Sequence, residues 1–216
     1  MDYILQLTAS LAAGLKYTVG LFLITIVFSL PLGLLLTFLR VSKSRVLRGV
    51  VGGYVWLMRG TPLMLQLYFF CYGLTFIPYI GQYMVLGRFQ AAYIAFVLNY
   101  AAYFCEIFRG GLLSVDKGQY EAAKVLGFSR WQTSMKIVVP QMLRVSLPPV
   151  CNECITLVKD TSLATAIGIT EVLYFAKASV NRDVNATAFV VVAVFYLIMT
   201  YGLTALFKRL EKKMAY

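Results

Sequence analysis

The chain has 216 residues, of which 60% are hydrophobic and 13% charged, against usual globular shares of about 45–50% and about 25%. Twenty Lys and Arg against nine Asp and Glu leave a formal net charge of +11, and mean hydropathy is +0.76. A solvated domain of this size has nowhere to hide that much apolar surface, so composition excludes disorder, a water-soluble enzyme domain and a secreted disulfide scaffold, and indicates a multi-pass membrane protein in a lipid bilayer.

A spanning helix needs about 20 apolar residues at about 1.5 Å each. Residues 17–39 form the first such run, interrupted only by Thr, Ser and Pro31. The start, Met1-Asp2, lacks the basic segment and cleavage site of a signal peptide, so this run is expected to stay in the protein. A short basic loop, 40–48, follows. The apolar stretch 49–80 is too long for one straight span, and Pro62 in Arg59-Gly-Thr-Pro62 lacks a backbone donor and disfavours helix before it. The expectation is a short helix, a break, and a second span over 63–77. Residues 89–108 form the third span. The long polar segment 109–136 reads as a loop with helical character. A fourth span over 137–158 carries Pro140, Gln141, Arg144, Pro148, Pro149, Asn152 and Glu153, a composition suited to lining a cavity within protein rather than facing lipid. Residues 162–175 are apolar but too few to cross, so a re-entrant or interfacial course is expected. Residues 186–207 form the last span, and the tail 208–216 is basic.

The fold class expected is therefore an all-α membrane protein with five transmembrane helices in a single domain, 1–216. Cytoplasmic loops collect Lys and Arg. Residues 40–48, 109–136 and 208–216 carry thirteen of them; the opposite side carries five, Lys16, Arg88, Lys159, Lys177 and Arg182. Five spans make these sides alternate, with the N-terminus outside and the C-terminus cytoplasmic. The same asymmetry explains the net charge, and no basic, aromatic-laced soluble segment exists for nucleic acid. Histidine is absent, and Cys71, Cys105, Cys151 and Cys154 all fall in apolar surroundings, so they read as packing residues rather than metal ligands.

In the long cytoplasmic loop, Glu121-Ala122-Ala123 and the following residues to Leu126 favour helix, Gly127 can end it, and Ser129 is suited to cap a second helix starting with Arg130 and Trp131. Exposed Phe128 and Trp131 suit either a docking surface or an amphipathic segment touching lipid headgroups. Glu-Ala-Ala, three residues, Gly127, nine residues, Ile137, one residue, then Val139-Pro140 resembles the signature loop of permeases of ATP-binding cassette importers; Val139 stands where that family usually has Leu. Arg59-Gly-Thr-Pro-Leu63, Glu106-Ile-Phe-Arg-Gly-Gly111 leading into Gly118-Gln119-Tyr-Glu121, and Lys159-Asp-Thr-Ser-Leu163 resemble the polar amino acid branch of that family.

The resemblance implies a coupling loop, 109–136, with a coupling helix between spans 3 and 4 that seats in a cleft of a cytosolic ATPase, with Glu121, Ala122, Ala123, Gly127, Phe128 and Trp131 at that contact. It also implies an ATPase dimer, a second permease subunit, identical or homologous, an extracytoplasmic amino-acid-binding protein, and residence in the cytoplasmic (inner) membrane. No Gly-x-x-x-x-Gly-Lys-Ser/Thr loop occurs in the chain. No cofactor is expected on this chain, ATP and Mg²⁺ belonging to the partner, and the chain is expected to be no enzyme.

Ionisable residues at membrane depth are costly, about 2.5–3.5 kcal/mol each on insertion scales, so each wants a partner or a task. Glu106 and Arg109, three apart, are placed to pair. Glu153 and Asp160, seven apart, fall on nearly the same helix face two turns from each other. Asn99 and Gln66 lie at middle depth on the third and second spans. These four can converge on one cavity whose carboxylates attract a cation, or Asp160 can pair with Lys159 and Glu153 with Arg144. Lys159, Thr161 and Ser162 are the nearest donors for a ligand carboxylate, although Lys159 lies about 120° around the helix from Glu153. The function expected is ATP-driven import of a polar, basic amino acid: arginine, lysine or histidine. The rival is an ATP-independent secondary amino acid or cation transporter or channel, which leaves the signature loop without a task.

Overall fold

The computed structural model describes residues 2–79 and 81–214; Ile80, at the end of the stretch 49–80, and Ala215 and Tyr216 of the basic tail lie outside the described residues. Among the described residues there is helix and no strand. The α-helices are α1 (Asp2–Ala12), α2 (Leu15–Arg40), α3 (Arg45–Gly60), α4 (Leu63–Cys71), α5 (Arg88–Leu113), α6 (Lys117–Val125), α7 (Arg130–Thr133), α8 (Val139–Asp160), α9 (Val172–Asp183) and α10 (Thr187–Met214).

Three helical stretches are long and apolar enough to cross a membrane: Tyr3–Arg40, Arg88–Leu113 and Thr187–Lys213. A fourth is counted if Arg130–Ile167 and Val172–Asp183, bent by 55°, make one broken span. The expected second span over 63–77 is not one helix. Pro62 opens α4, whose nine residues reach about 13 Å, less than half the bilayer core, and a 3₁₀ turn over Gly73–Phe76 follows. The remaining length lies on the other side of the break, in the 16 residues of α3. The expected segment 162–175 is likewise divided, into a 3₁₀ turn (Thr161–Ile167), a left-handed Gly168 and the start of α9. Helix α1 was not expected at all; Leu7 and Leu11 bury it against Val172 and Ala176 of α9 and Ala188 and Val192 of α10.

Helix α5 is the central post. Ala91, Ala92, Ala95, Phe96, Tyr100 and Phe104 are among its buried residues, and α2, α3, α4 and α8 pack around it. In lipid the apolar driving force between helices is absent, so close van der Waals approach over small residues holds such posts together. Gly33 of α2 shows how close: a Cβ there would sit 2.7 Å from the Cβ of Phe104 and 3.0 Å from the carbonyl oxygen of Ala101. Backbone cannot yield, so Gly33→Ala is expected to cost about 1–3 kcal/mol by overpacking. A lowered thermal midpoint of the purified chain reads this out. Gly53→Ala, with nothing within 4 Å of its added Cβ, should leave the midpoint in place.

A second fixing point is Glu171, fully buried at the start of α9. Its Oε1 accepts from the Thr165 hydroxyl (2.5 Å) and the Tyr174 amide (2.9 Å); its Oε2 accepts from the Tyr196 hydroxyl (2.9 Å) and, more weakly, from Thr18 (3.4 Å). One carboxylate thus ties α2, α9 and α10 together, its lone pairs supplied by donors rather than by a cation. Asn185, in the sequence Asn185-Ala-Thr187, accepts from the Thr187 amide at 2.9 Å and so starts α10.

Candidate functional site

The break between α3 and α4 builds one wall of a cavity. Pro62 has no N–H to offer the carbonyl of Met58, one turn back. The side-chain amides of Gln66 (2.9 Å) and Asn99 (3.0 Å) donate to that carbonyl instead, and Gln66 also donates to the Thr61 hydroxyl at 2.8 Å. Asn99 donates further to the Gln66 side-chain oxygen at 3.0 Å. Both amides are buried and occupied in holding the broken helix on α5.

The cavity so formed has a volume of about 510 Å³ and is lined by Arg59, Thr61, Asn99, Tyr100, Tyr103, Glu153, Thr156 and Asp160, with Gly60, Pro62, Leu63 and Leu163 completing it. The Tyr100 hydroxyl donates to Asp160 Oδ2 at 2.7 Å. Glu153 forms no ion pair or hydrogen bond among the described residues, and neither the Asp160–Lys159 nor the Glu153–Arg144 pair is found among them. The Arg59 guanidinium lies over the Tyr103 ring, 5.2 Å from its centroid. Two carboxylates and one guanidinium therefore share a space of the size that holds a small molecule.

Of the six residues singled out from sequence for the substrate, Asn99, Glu153 and Asp160 line this cavity. Gln66 stands behind its wall. Lys159 lines a separate groove with Phe189, Tyr196 and Thr200 of α10, as its position about 120° around from Glu153 requires. Thr161 is buried and donates its hydroxyl to the Val158 carbonyl at 2.7 Å. Arg59, Tyr100, Tyr103 and Thr156 are cavity residues not expected there. The spacing of Asn99 and Tyr103, four apart on α5, was the available signal.

Arg59 also touches a charge cluster. Glu106 is 2.8 Å from Arg109, as their spacing predicts, and receives Arg40 at 3.2 Å and Arg59 at 3.7 Å as well. One carboxylate thus gathers α2, α3 and α5 at one end of the post.

The segment between α5 and α8 has its own construction. Asp116 accepts from the Gly118 amide at 2.7 Å and starts α6. At its end the Gly127 amide donates to Lys124 (3.1 Å) and the Phe128 amide to Ala123 (3.0 Å), with Gly127 left-handed at φ 76°; this pattern closes a helix over a residue without a Cβ. Nothing lies within 4 Å of a Cβ added at Gly127, so backbone conformation rather than packing within the chain asks for glycine. Ser129 and Gln132 cap α7 reciprocally. Val125 (86% exposed), Leu126 (73%) and Trp131 (71%) are bare apolar side chains on this segment. Of the residues singled out, Glu121, Ala122, Gly127 and Trp131 are exposed, Phe128 is half-buried and Ala123 is buried beneath them. From Trp131 the chain runs through a wide π turn, Ser134–Val138, into α8, so Trp131 and the cavity carboxylates lie on one continuous helical stretch.

Comparison with known proteins places residues 29–216 under the family described as binding-protein-dependent transport system inner membrane component. The chain is 36% identical over 206 residues to the L-cystine transport system permease protein TcyB of Bacillus subtilis, covering 94% of this chain and 86% of that one. It is 34% identical over 211 residues to the histidine/lysine/arginine/ornithine transport system permease protein HisM of Escherichia coli, covering 93% and 87%. A crystal structure of an amino acid ABC transporter with histidines superimposes with a TM-score of 0.88 at 26% identity, over 98% of this chain and 97% of that one.

Proposed function

Because the chain belongs to the family of binding-protein-dependent transport system inner membrane components, as an amino acid permease of an ATP-binding cassette importer, we propose that it moves a basic amino acid across the cytoplasmic membrane. It is a multi-pass membrane subunit and not itself an enzyme; hydrolysis of ATP belongs to a separate subunit. The carrying observation is the 510 Å³ cavity facing Glu153, Asp160 and Arg59. Arg59 suits the α-carboxylate of a ligand by its planar fork. Asp160, oriented by Tyr100, suits the α-ammonium, and the uncommitted Glu153 suits a cationic side chain. Lys159 has no part in this arrangement, and Arg59 takes the carboxylate-binding role first sought there.

Five crossings fit this reading: α2, the broken pair α3 and α4 together, α5, α8 and α10, with α6 and α7 cytosolic. Two permeases, identical or homologous, and two ATPase subunits carrying ATP and Mg²⁺ complete the transporter, served by an extracytoplasmic binding protein. Val125, Leu126 and Trp131 make the coupling contact, and the stretch from α7 into α8 carries its displacement to Glu153 and Asp160.

Two measurements test this. With the half-buried Cys71 replaced by Ser, cysteines introduced at Ser44 and Gln132 should be labelled only from the cytosolic side, and one at Asn181 only from outside; labelling of Gln132 from outside overturns orientation and coupling together. ATP-driven uptake of labelled arginine by the assembled transporter should be competed by lysine. Competition by cystine or glutamine and not by lysine transfers the reading to a neutral polar amino acid, as the likeness to a cystine permease would have it.

A further inference from the structure

A second constellation lies where α2 ends and α3 begins. Arg40, Arg45, Arg48 and Arg109 line a groove of about 490 Å³ with Gly49 and Gly52 on its floor. Between Asp2 and Glu106 the sequence has no acidic residue. Among the described residues Glu106 alone pairs with this cluster, and it is divided among Arg40, Arg59 and Arg109. Arg45 and Arg48 form no ion pair among the described residues. Nη1 of Arg40, a groove residue, is buried without a hydrogen-bond acceptor among the described residues, and the hydroxyl of Ser42, two residues on, is also unpartnered among them. A buried guanidinium N–H without an acceptor is expensive and marks the place of a missing one.

The groove's surroundings say what kind of acceptor. Helix α2 is 26 residues long, about 39 Å, so its last residue, Arg40, stands at the headgroup level on the side where the basic loops collect. Val41 (42% exposed) and Leu113 (67%) line the same groove and stand bare beside the arginines. A ligand with an anionic head and an apolar body satisfies both halves, whereas a soluble phosphate leaves Val41 and Leu113 uncovered. Basic pockets between helices on the cytoplasmic side are suited to lipid phosphate, and the arginine fork suits phosphate oxygens in pairs.

We propose that this groove binds the phosphate of an anionic phospholipid of the cytoplasmic leaflet. Arg40 and Arg109 meet it at depth, Arg45 and Arg48 close over it from the mouth, and the acyl chains run along Val41 and Leu113. Arg40 is then held from two sides, by Glu106 and by the lipid, which braces the α2–α5 end of the post.

The test titrates phosphatidylglycerol into phosphatidylcholine nanodiscs holding the full chain and measures bound lipid by native mass spectrometry after release. The parent should retain one phosphatidylglycerol per chain. Arg45→Gln with Arg48→Gln should weaken retention about thirty-fold, the loss expected for two basic groups near the surface. Lys208→Gln with Lys212→Gln removes the same charge from the tail and should leave retention unchanged. Inorganic phosphate at millimolar concentration should not displace the lipid. The proposal is overturned if the parent retains no anionic lipid, if the tail variant loses as much as the groove variant, or if inorganic phosphate displaces the lipid, which would make the groove a soluble-anion site.

Discussion

Glu153→Gln and Asp160→Asn are expected to remove transport of arginine and lysine while the chain still inserts and still assembles with the ATPase. Both substitutions keep size and hydrogen-bonding capacity, so they separate charge from shape. Glu153 faces the cavity with no ion pair or hydrogen bond among the described residues, and Asp160 is oriented by the Tyr100 hydroxyl at 2.7 Å. Breaking a buried charge pair commonly costs about 3–5 kcal/mol, a loss of roughly a hundred- to several-thousand-fold in affinity. Tyr100→Phe, which leaves the carboxylate and removes only its orienting donor, should cost about tenfold, in line with one hydrogen bond to a charged group. Uptake of labelled arginine against concentration reads all three. Unchanged uptake in both carboxylate variants would place the ligand elsewhere. Lowered yield with unchanged substrate preference would make the two acids structural.

Gly127→Val is expected to uncouple the transporter. Position 127 lies at φ 76°, a region where a β-branched residue is a true outlier; a non-glycine residue there costs on the order of 1–2 kcal/mol. The helix end then reorganises, and Val125, Leu126 and Trp131 no longer present one coupling contact. ATP-driven uptake should fall at least tenfold, with insertion preserved. Asn tolerates the left-handed region through local hydrogen bonding, so Gly127→Asn should keep most of the uptake. Trp131→Asp leaves the backbone alone and places a charge in that contact, and it should uncouple as strongly as Gly127→Val. Parental uptake in both Gly127→Val and Trp131→Asp would remove this segment from the coupling role.

How the broken helix serves the cavity was only half legible in the sequence. Pro62 announces the break by lacking a donor, but which groups satisfy the Met58 carbonyl depends on what lies across from it. Asn99 and Gln66 have the correct depth for a ligand, and depth comes from counting residues; that both point their amides at the backbone depends on the packing of α3 and α4 against α5. Arg59 was placed at the break but not in the cavity. Its direction appears only in the fold, where the guanidinium reaches Glu106 at 3.7 Å and lies over the Tyr103 ring. Glu171 was missed altogether, because an acid satisfied by hydroxyls and an amide carries no charge pattern along the chain.

Features governed by short-range rules could be read directly from the chain. Apolar run length located α2, α5 and α10; the proline and the glycines located the break at 61–62 and the caps at Gly127 and Ser129; helical spacing paired Glu106 with Arg109 and put Glu153 and Asp160 on one face. The fixed spacing of the signature loop indicated the family. Partnerships across helices emerged only on folding: the three-arginine grip on Glu106, the Tyr100–Asp160 bond, the withdrawal of Gln66 and Thr161 into backbone contacts, and the division of the second apolar stretch between α3 and α4. The reason is physical. Helix geometry repeats within a few residues and can be computed along the chain, whereas contacts between helices depend on rotation and close approach, and those are set here by small residues such as Gly33 packing against the α5 backbone.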